Sequence, residues 1–173
     1  STPPPVPLLV SRPAGLRRGA GVRVAARLAV VPFWLWRRDG PRRLAPRAVR
    51  DALRWPETPS GPIWHRYTGD GYGEHADGSP YDGTGIGRGW PLLVGERGHY
   101  ELEAGRDARP YLEVMRRMAS QGGMLPEQVW DTSDIPERGL IGGRPSGSAM
   151  PLAWAHAEYV KLVRSIALGH AID

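Results

Sequence analysis

The chain has 173 residues, 23 Lys+Arg against 18 Asp+Glu, and no cysteine, which is the length of one medium domain without a disulfide framework or a Cys-based metal or redox site. With 40% hydrophobic and 24% charged residues, wholesale disorder and collagen-like fibres are excluded. The charge is uneven: residues 1–54 hold twelve Arg against Asp39 and Asp51, net +10, whereas residues 55–173 are net −5.

Residues 1–56 form a basic Arg/Pro-rich segment whose many prolines interrupt any helix or strand period. Only Val22–Val30 and Ala45–Leu53 read as short helices. A basic arm can serve nucleic acid or an anionic membrane surface, but there is no RNP, zinc-finger or heptad pattern, so no nucleic-acid partner is expected. The apolar run Leu28–Trp36 is broken by Pro32 and is far short of the roughly 20 residues that span a bilayer. It lies inside the chain with no small-residue cleavage site after it, so neither a targeting signal nor a membrane association is expected. The compartment stays open.

From Trp64 to Trp90 there are eight glycines in 27 residues, too many for a regular element and too aromatic a stretch for a flexible linker. The segment reads as an ordered, functional loop. Three helices are predicted after it. The first starts at Pro91 and runs to Gly105, with Gly95 and Gly98 implying close helix packing. The second is capped by Asp107, carries Tyr111, Leu112, Met115, Met118 and Ala119 on one stripe, and stops at Gly122-Gly123. The third is capped near Ser146 or Ser148, has Pro151 in its first turn, and reaches Gly169; it is apolar nearly all round, as a buried helix would be. Between the last two lies a loop, Gly122–Gly147, that is longer than the roughly 12 to 15 residues tolerated without a function.

That loop carries Glu127, Gln128, Trp130, Asp131 and Asp134. A carboxylate beside an indole suits a sugar site, because the ring packs on the apolar pyranose face while the carboxylate handles the proton. A helix-start acid explains Glu127 equally well. In the glycine-rich loop, Arg66 and Asp70 could clamp vicinal hydroxyls through charged hydrogen bonds, or form a plain surface ion pair. The alternating Gly83, Gly85, Gly87 and Gly89 fail the dinucleotide fingerprint, since its third glycine would fall at Arg88. The acids and the five histidines give no EF-hand or HExxH spacing, and no GxSxG or P-loop is present. No cofactor and no metal are expected, and His156 reads as a helix-face residue.

Three stretches, Trp64–Leu102, Ser120–Asp131 and Gly143–Leu162, together resemble the C-terminal part of the catalytic domain of bacterial glucoamylases and glucodextranases of glycoside hydrolase family 15. The resemblance covers residues 57–173. It implies an all-α fold, the C-terminal portion of an (α/α)6 barrel with long ordered loops, and inverting hydrolysis of terminal α-glucosidic bonds in an α-glucan or oligosaccharide. The linkage, whether of starch, dextran or trehalose type, stays open. Glu127, in the Pro-Glu-Gln motif, matches the family's general base. Arg66 and Asp70 match the pair that holds the hydroxyls of the terminal glucose, and Trp90 and Trp130 are placed like pocket aromatics. Glu96 reads as a structural carboxylate. The family's general acid lies in an upstream Trp-Glu-Glu motif, and no tryptophan here is followed by glutamate.

An inverting glycosidase needs both carboxyl groups, roughly 6.5 to 9.5 Å apart, so the chain is expected to be an enzyme fragment, inactive alone. The other reading is a non-catalytic carbohydrate-binding or regulatory half-barrel. Residues 1–56 match no upstream barrel helix; their composition suits an out-of-frame reading of a GC-rich gene, or a true basic extension. An open barrel would leave Met115, Met118, Trp154 and Leu162 exposed, so self-association is expected.

Overall fold

The computed structural model describes residues 54–172. The helical readings at Val22–Val30 and Ala45–Leu53, the basic segment up to residue 53 and the apolar run Leu28–Trp36 lie outside the described residues. What is described is mainly helical, as expected, with one β-hairpin that was not. Strands β1 (Arg54–Thr58) and β2 (Gly61–Trp64) pair antiparallel, with Trp55 opposite Ile63 and Thr58 opposite Gly61. Strand β1 therefore crosses the expected boundary at residue 56. Pro56, Pro59 and Pro62 disguise the hairpin, yet in a two-stranded sheet every strand is an edge, where a missing N–H is tolerated.

Helix α1 (Pro91–Glu103) is the central element, buried along Pro91–Glu101. Pro91 occupies its first turn, where the absent N–H costs nothing. Its end is a Schellman turn: Gly105, at φ 72°, donates to the Leu102 carbonyl, and Arg106 donates to that of Glu101. The Glu101 side chain then binds both Arg97 and Arg106.

Helices α2 (Arg109–Met118) and α3 (Ala153–Leu168) pack on α1 from two sides. The expected glycine packing holds. A Cβ on Gly95 would lie 2.6 Å from Glu158 Cγ, and one on Gly98 would lie 2.8 Å from Leu162 Cδ2. The core joins Ile63 and Trp64 of the hairpin, Leu92 and Val94 of α1, Val114, Met115 and Met118 of α2, and Leu162 of α3.

Several helix details differ from expectation. Asp107 accepts the Arg109 N–H at 3.0 Å, but the N-cap position is Ala108 rather than Asp107, without a side-chain cap, and α2 already ends at Met118, where the chain turns extended at Ala119. Helix α3 begins at Ala153 without a side-chain cap. Ser146 and Ser148 instead bond within the preceding loop, and Pro151 precedes the helix, joined to Met150 by a cis peptide bond. Nor is α3 buried all round. Ala155, Glu158, Leu162 and Ser165 face inward, while Trp154, Val160 and Leu168 are more than half exposed. Of the four side chains expected to be open to water, Met115, Met118 and Leu162 are fully buried, and Trp154 alone is exposed. The reason is that α1, Ile63 and Trp64 of the hairpin, and Leu125 and Val129 of the following loop join them in one core.

Among the described residues, no helix is long and apolar enough to cross a membrane.

The Gly95 contact generates a stability prediction. Alanine gains helix propensity of about 1 kcal/mol over glycine, but its methyl group must displace Glu158, which His99 holds at 2.7 Å, and overpacking costs about 1 to 3 kcal/mol. Gly95→Ala should lower the urea midpoint with an unchanged slope; a raised midpoint would contradict this packing.

Candidate active site

The alternating glycines that fail as a nucleotide fingerprint have a packing role. Period two is that of extended chain, and residues 85–89 lie against residues 70–74 and the hairpin. A Cβ on Gly85 would sit 1.9 Å from the Gly73 carbonyl oxygen, one on Gly87 2.5 Å from Asp70 Cγ, and one on Gly89 2.4 Å from Ile63. In return, Gly87 donates to the Asp70 carbonyl at 2.7 Å and Ile86 to that of Glu74 at 3.3 Å. The glycine-rich loop is thus a close-packed backbone platform.

On this platform Arg66 and Asp70 form a two-pronged pair, Nε to Oδ2 at 2.7 Å and Nη2 to Oδ1 at 2.8 Å. The carboxylate is almost wholly buried and also accepts the Tyr72 N–H, while the guanidinium keeps an exposed edge. Burial pushes the Asp70 carboxyl upward, but hydrogen bonds from Arg66, the Tyr72 N–H and Tyr67 outweigh it and hold its pKa below the ordinary 3.8. The same hydrogen bond to Asp70 raises Arg66. The pair is therefore neither a loose surface contact nor two equal arms: Asp70 is occupied in holding Arg66.

The Arg66 guanidinium lies 4.7 Å from the Trp90 ring centroid and 5.0 Å from that of Tyr72. The Tyr72 hydroxyl in turn donates to Glu127 Oε2 at 3.2 Å. The negative charge of Glu127 and partial burial keep this phenol above its ordinary pKa of 10.0, so it remains a donor. Glu127 is half-buried in irregular chain, its N–H donated to the Ala149 carbonyl at 2.8 Å. It is not a helix-start acid. Four of the five residues singled out from the sequence, Arg66, Asp70, Trp90 and Glu127, are thereby linked through Tyr72.

The fifth, Trp130, stands behind them. Its ring is fully buried, its indole N–H donates to the Ser133 carbonyl at 2.7 Å, and its face carries the Arg88 guanidinium at 4.0 Å. Arg88, noticed in the sequence only for spoiling a motif, organises this layer. Its backbone N–H donates to Gln128 Oε1 at 2.7 Å, and its Nη2 donates to the Glu74 and His75 carbonyls at 3.0 Å. Nη1 lies 3.5 Å from Asp131, which pairs with His65 at 2.6 Å. His156, read as a helix-face residue, accepts the Leu125 N–H at 2.9 Å and so anchors the Glu127 loop to α3. A positively charged residue in a glycine run is the one sequence signal that could have pointed to Arg88.

Tyr72, Glu74, Tyr81, Glu127, Arg138 and Ser148 line a cleft of about 520 Å³, a volume suited to a small polar ligand. Among the described residues, no group of three or more acids and histidines is placed to hold a metal ion.

No family model matches the sequence. The chain is 49% identical over 127 residues to a glucoamylase from Clostridium sp. (strain G0005), covering 73% of this chain and 17% of that protein. It is also similar to the crystal structure of a bacterial glucoamylase complexed with acarbose, with 46% identity and a TM-score of 0.64 over 72% of this chain and 17% of that one. The chain thus spans about a sixth of the length of each relative. Over the aligned residues it is related to bacterial glucoamylases, and the family resemblance read from its three motifs holds.

The buried pair sets a pH dependence. Because the folded-state pKa of Asp70 is depressed, its contribution to stability is present above the ordinary carboxylate value and is lost as pH falls through the folded value. Asp70→Asn should cost on the order of 2 kcal/mol near neutral pH. In denaturant melts across pH, the gap to wild type should close below about pH 4; a constant gap down to strong acid would contradict the assignment.

Proposed function

We propose that this glucoamylase-related chain carries the base half of an inverting glycoside hydrolase site for terminal α-glucosidic units, built on part of an (α/α)6 barrel. The observation that carries the reading is that Glu127 and Tyr72, which line the cleft, are hydrogen-bonded to one another, and that Tyr72 joins them to the Arg66–Asp70 pair beside it. In this reading Glu127 is the general base. Tyr72 occupies Oε2, which leaves the other carboxylate oxygen to take the proton from an attacking water. Arg66 presents its exposed edge to the hydroxyls of the terminal glucose, Asp70 fixes its direction, and Trp90 backs the guanidinium. Trp130 supports the layer behind rather than stacking on sugar.

The substrate class follows from two supports. The glucoamylase of known structure is complexed with acarbose, and the cleft combines carboxylates, a guanidinium and two tyrosines, the groups that bind hydroxyl-rich ligands. Turnover needs a second carboxyl group on the leaving oxygen, placed across the sugar from the base. No Trp-Glu-Glu motif occurs within residues 1–173, so in this reading these residues supply the base and the sugar-binding groups, and hydrolysis draws its acid from outside them. The second reading is a carbohydrate-binding module on the same scaffold, and release of β-glucose from maltose separates the two.

The test is titration calorimetry with acarbose alongside polarimetry on maltose. Acarbose should bind the wild-type chain and bind Arg66→Ala at least about tenfold more weakly, which is the loss of one charged hydrogen bond. Glu127→Gln should retain most of the affinity. Should the wild-type chain give no heat with acarbose, the sugar-site reading fails.

A further inference from the structure

Glu74 is the one side chain of the cleft whose state the packing leaves unexplained. It is 5% exposed, it lines the same cleft as Glu127, and its Oε2 is closed to solvent with no hydrogen-bond partner among the described residues. A buried carboxylate lacking partners is costly to keep, and in a native structure such a group calls for a reason. The surrounding chain holds it there. Its backbone carbonyl accepts from both Arg88 Nη2 and the Ile86 N–H, so residue 74 cannot swing out to water without breaking the Arg88 layer.

The space in front of it is kept open as well. A Cβ on Gly147 would come within 2.9 Å of Glu74 Oε1, so glycine at that position preserves room beside the carboxylate. Tyr72 and Tyr81, packed edge to face with centroids 5.0 Å apart, line the same cleft and are both partly exposed.

We propose that Glu74 is a second binding carboxylate of the cleft, accepting hydrogen bonds from the hydroxyls of a bound sugar unit beside Glu127. The inference rests on the sugar-site reading above and deepens it. The reachable oxygen is Oε1, on the Gly147 side, so Glu74 is a largely buried carboxylate that gains a hydrogen-bond partner only with the ligand: a burden on the empty protein and an asset in the complex. A carboxylate retained purely for stability would behave in the opposite way.

The experiment uses the whole chain with acarbose as the probe, comparing wild type with Glu74→Gln, Glu74→Met and Gly147→Ala by calorimetry and thermal melts. Glu74→Met should lose about tenfold or more in affinity, as expected for a charged acceptor removed, with Glu74→Gln between it and wild type. Both should melt at or above the wild-type temperature. Gly147→Ala, which leaves the charge in place but crowds Oε1, should also weaken binding. Binding unchanged within about twofold in a folded Glu74 variant overturns the inference while leaving the sugar site standing. Lowered melting with unchanged affinity makes Glu74 structural and likewise overturns it. Absence of acarbose binding by wild type removes the sugar site and this inference with it.

Discussion

A guanidinium shut away from water is the constraint around which the site is arranged. Arg88 is 1% exposed, and a buried charge is tolerated only where acceptors and a counter-charge surround it. Two backbone carbonyls of residues 74 and 75, the Asp131 carboxylate and the face of Trp130 supply that surrounding. They come from two stretches of chain, residues 74–75 of the glycine-rich loop and residues 130–131 of the Glu127 loop. Asp131 is itself fixed by His65, which directly follows β2. The hairpin, the glycine-rich loop, the entrance to α1 and the Glu127 loop thus meet at one cation, and a shift of either loop would remove acceptors from its Nη atoms.

The helices make this arrangement possible by fixing where those loops start and stop. Helix α1 is buried along nearly its whole length and takes α2 and α3 against its glycines. The Glu127 loop leaves α2 and enters α3, and it is tied back at both ends: Ser120 Oγ accepts the Met124 N–H, and Leu152 donates to the Leu125 carbonyl while His156 accepts the Leu125 N–H. In its middle, Val129 donates to the Gly89 carbonyl, just ahead of α1. A loop of this length holds its shape because its polar groups are satisfied by the platform and by α3 rather than by a ladder of its own.

The parts of this arrangement that were legible in the sequence are those whose residue type is dictated by local geometry or chemistry. Pro91 and Gly105 bracket α1 because a missing N–H costs nothing at its start and a positive φ is needed after its end, and Gly95 and Gly98 mark close packing. Glu127, Arg66 and Asp70 stand in motifs long enough to be matched as a unit. What escaped were contacts set by chain segments far apart in sequence. The β-hairpin has too few residues and too many prolines to alternate visibly. Trp130 looks like any indole beside a carboxylate, and only the burial of Arg88 on its face shows that it points away from the cleft. Ser148 resembles a helix cap but accepts the Gln128 N–H at 2.9 Å, a pairing across 20 residues that no local pattern announces. The outer face of α3 was misjudged because an apolar sequence on all sides does not say how many neighbours the helix has.

The central claim, that Arg88 couples the glycine-rich loop to the Glu127 loop into one unit, is tested most directly by amide hydrogen exchange on wild type and Arg88→Lys. Lysine keeps the charge but cannot reach two carbonyls, a carboxylate and an indole face together. The account predicts that the amides of Gly87, Arg88 and Val129, which bond to Asp70, Gln128 and Gly89 respectively, are protected in wild type and lose protection together in the variant, while α1 and α3 stay protected. Undiminished protection at those three amides in Arg88→Lys would contradict it.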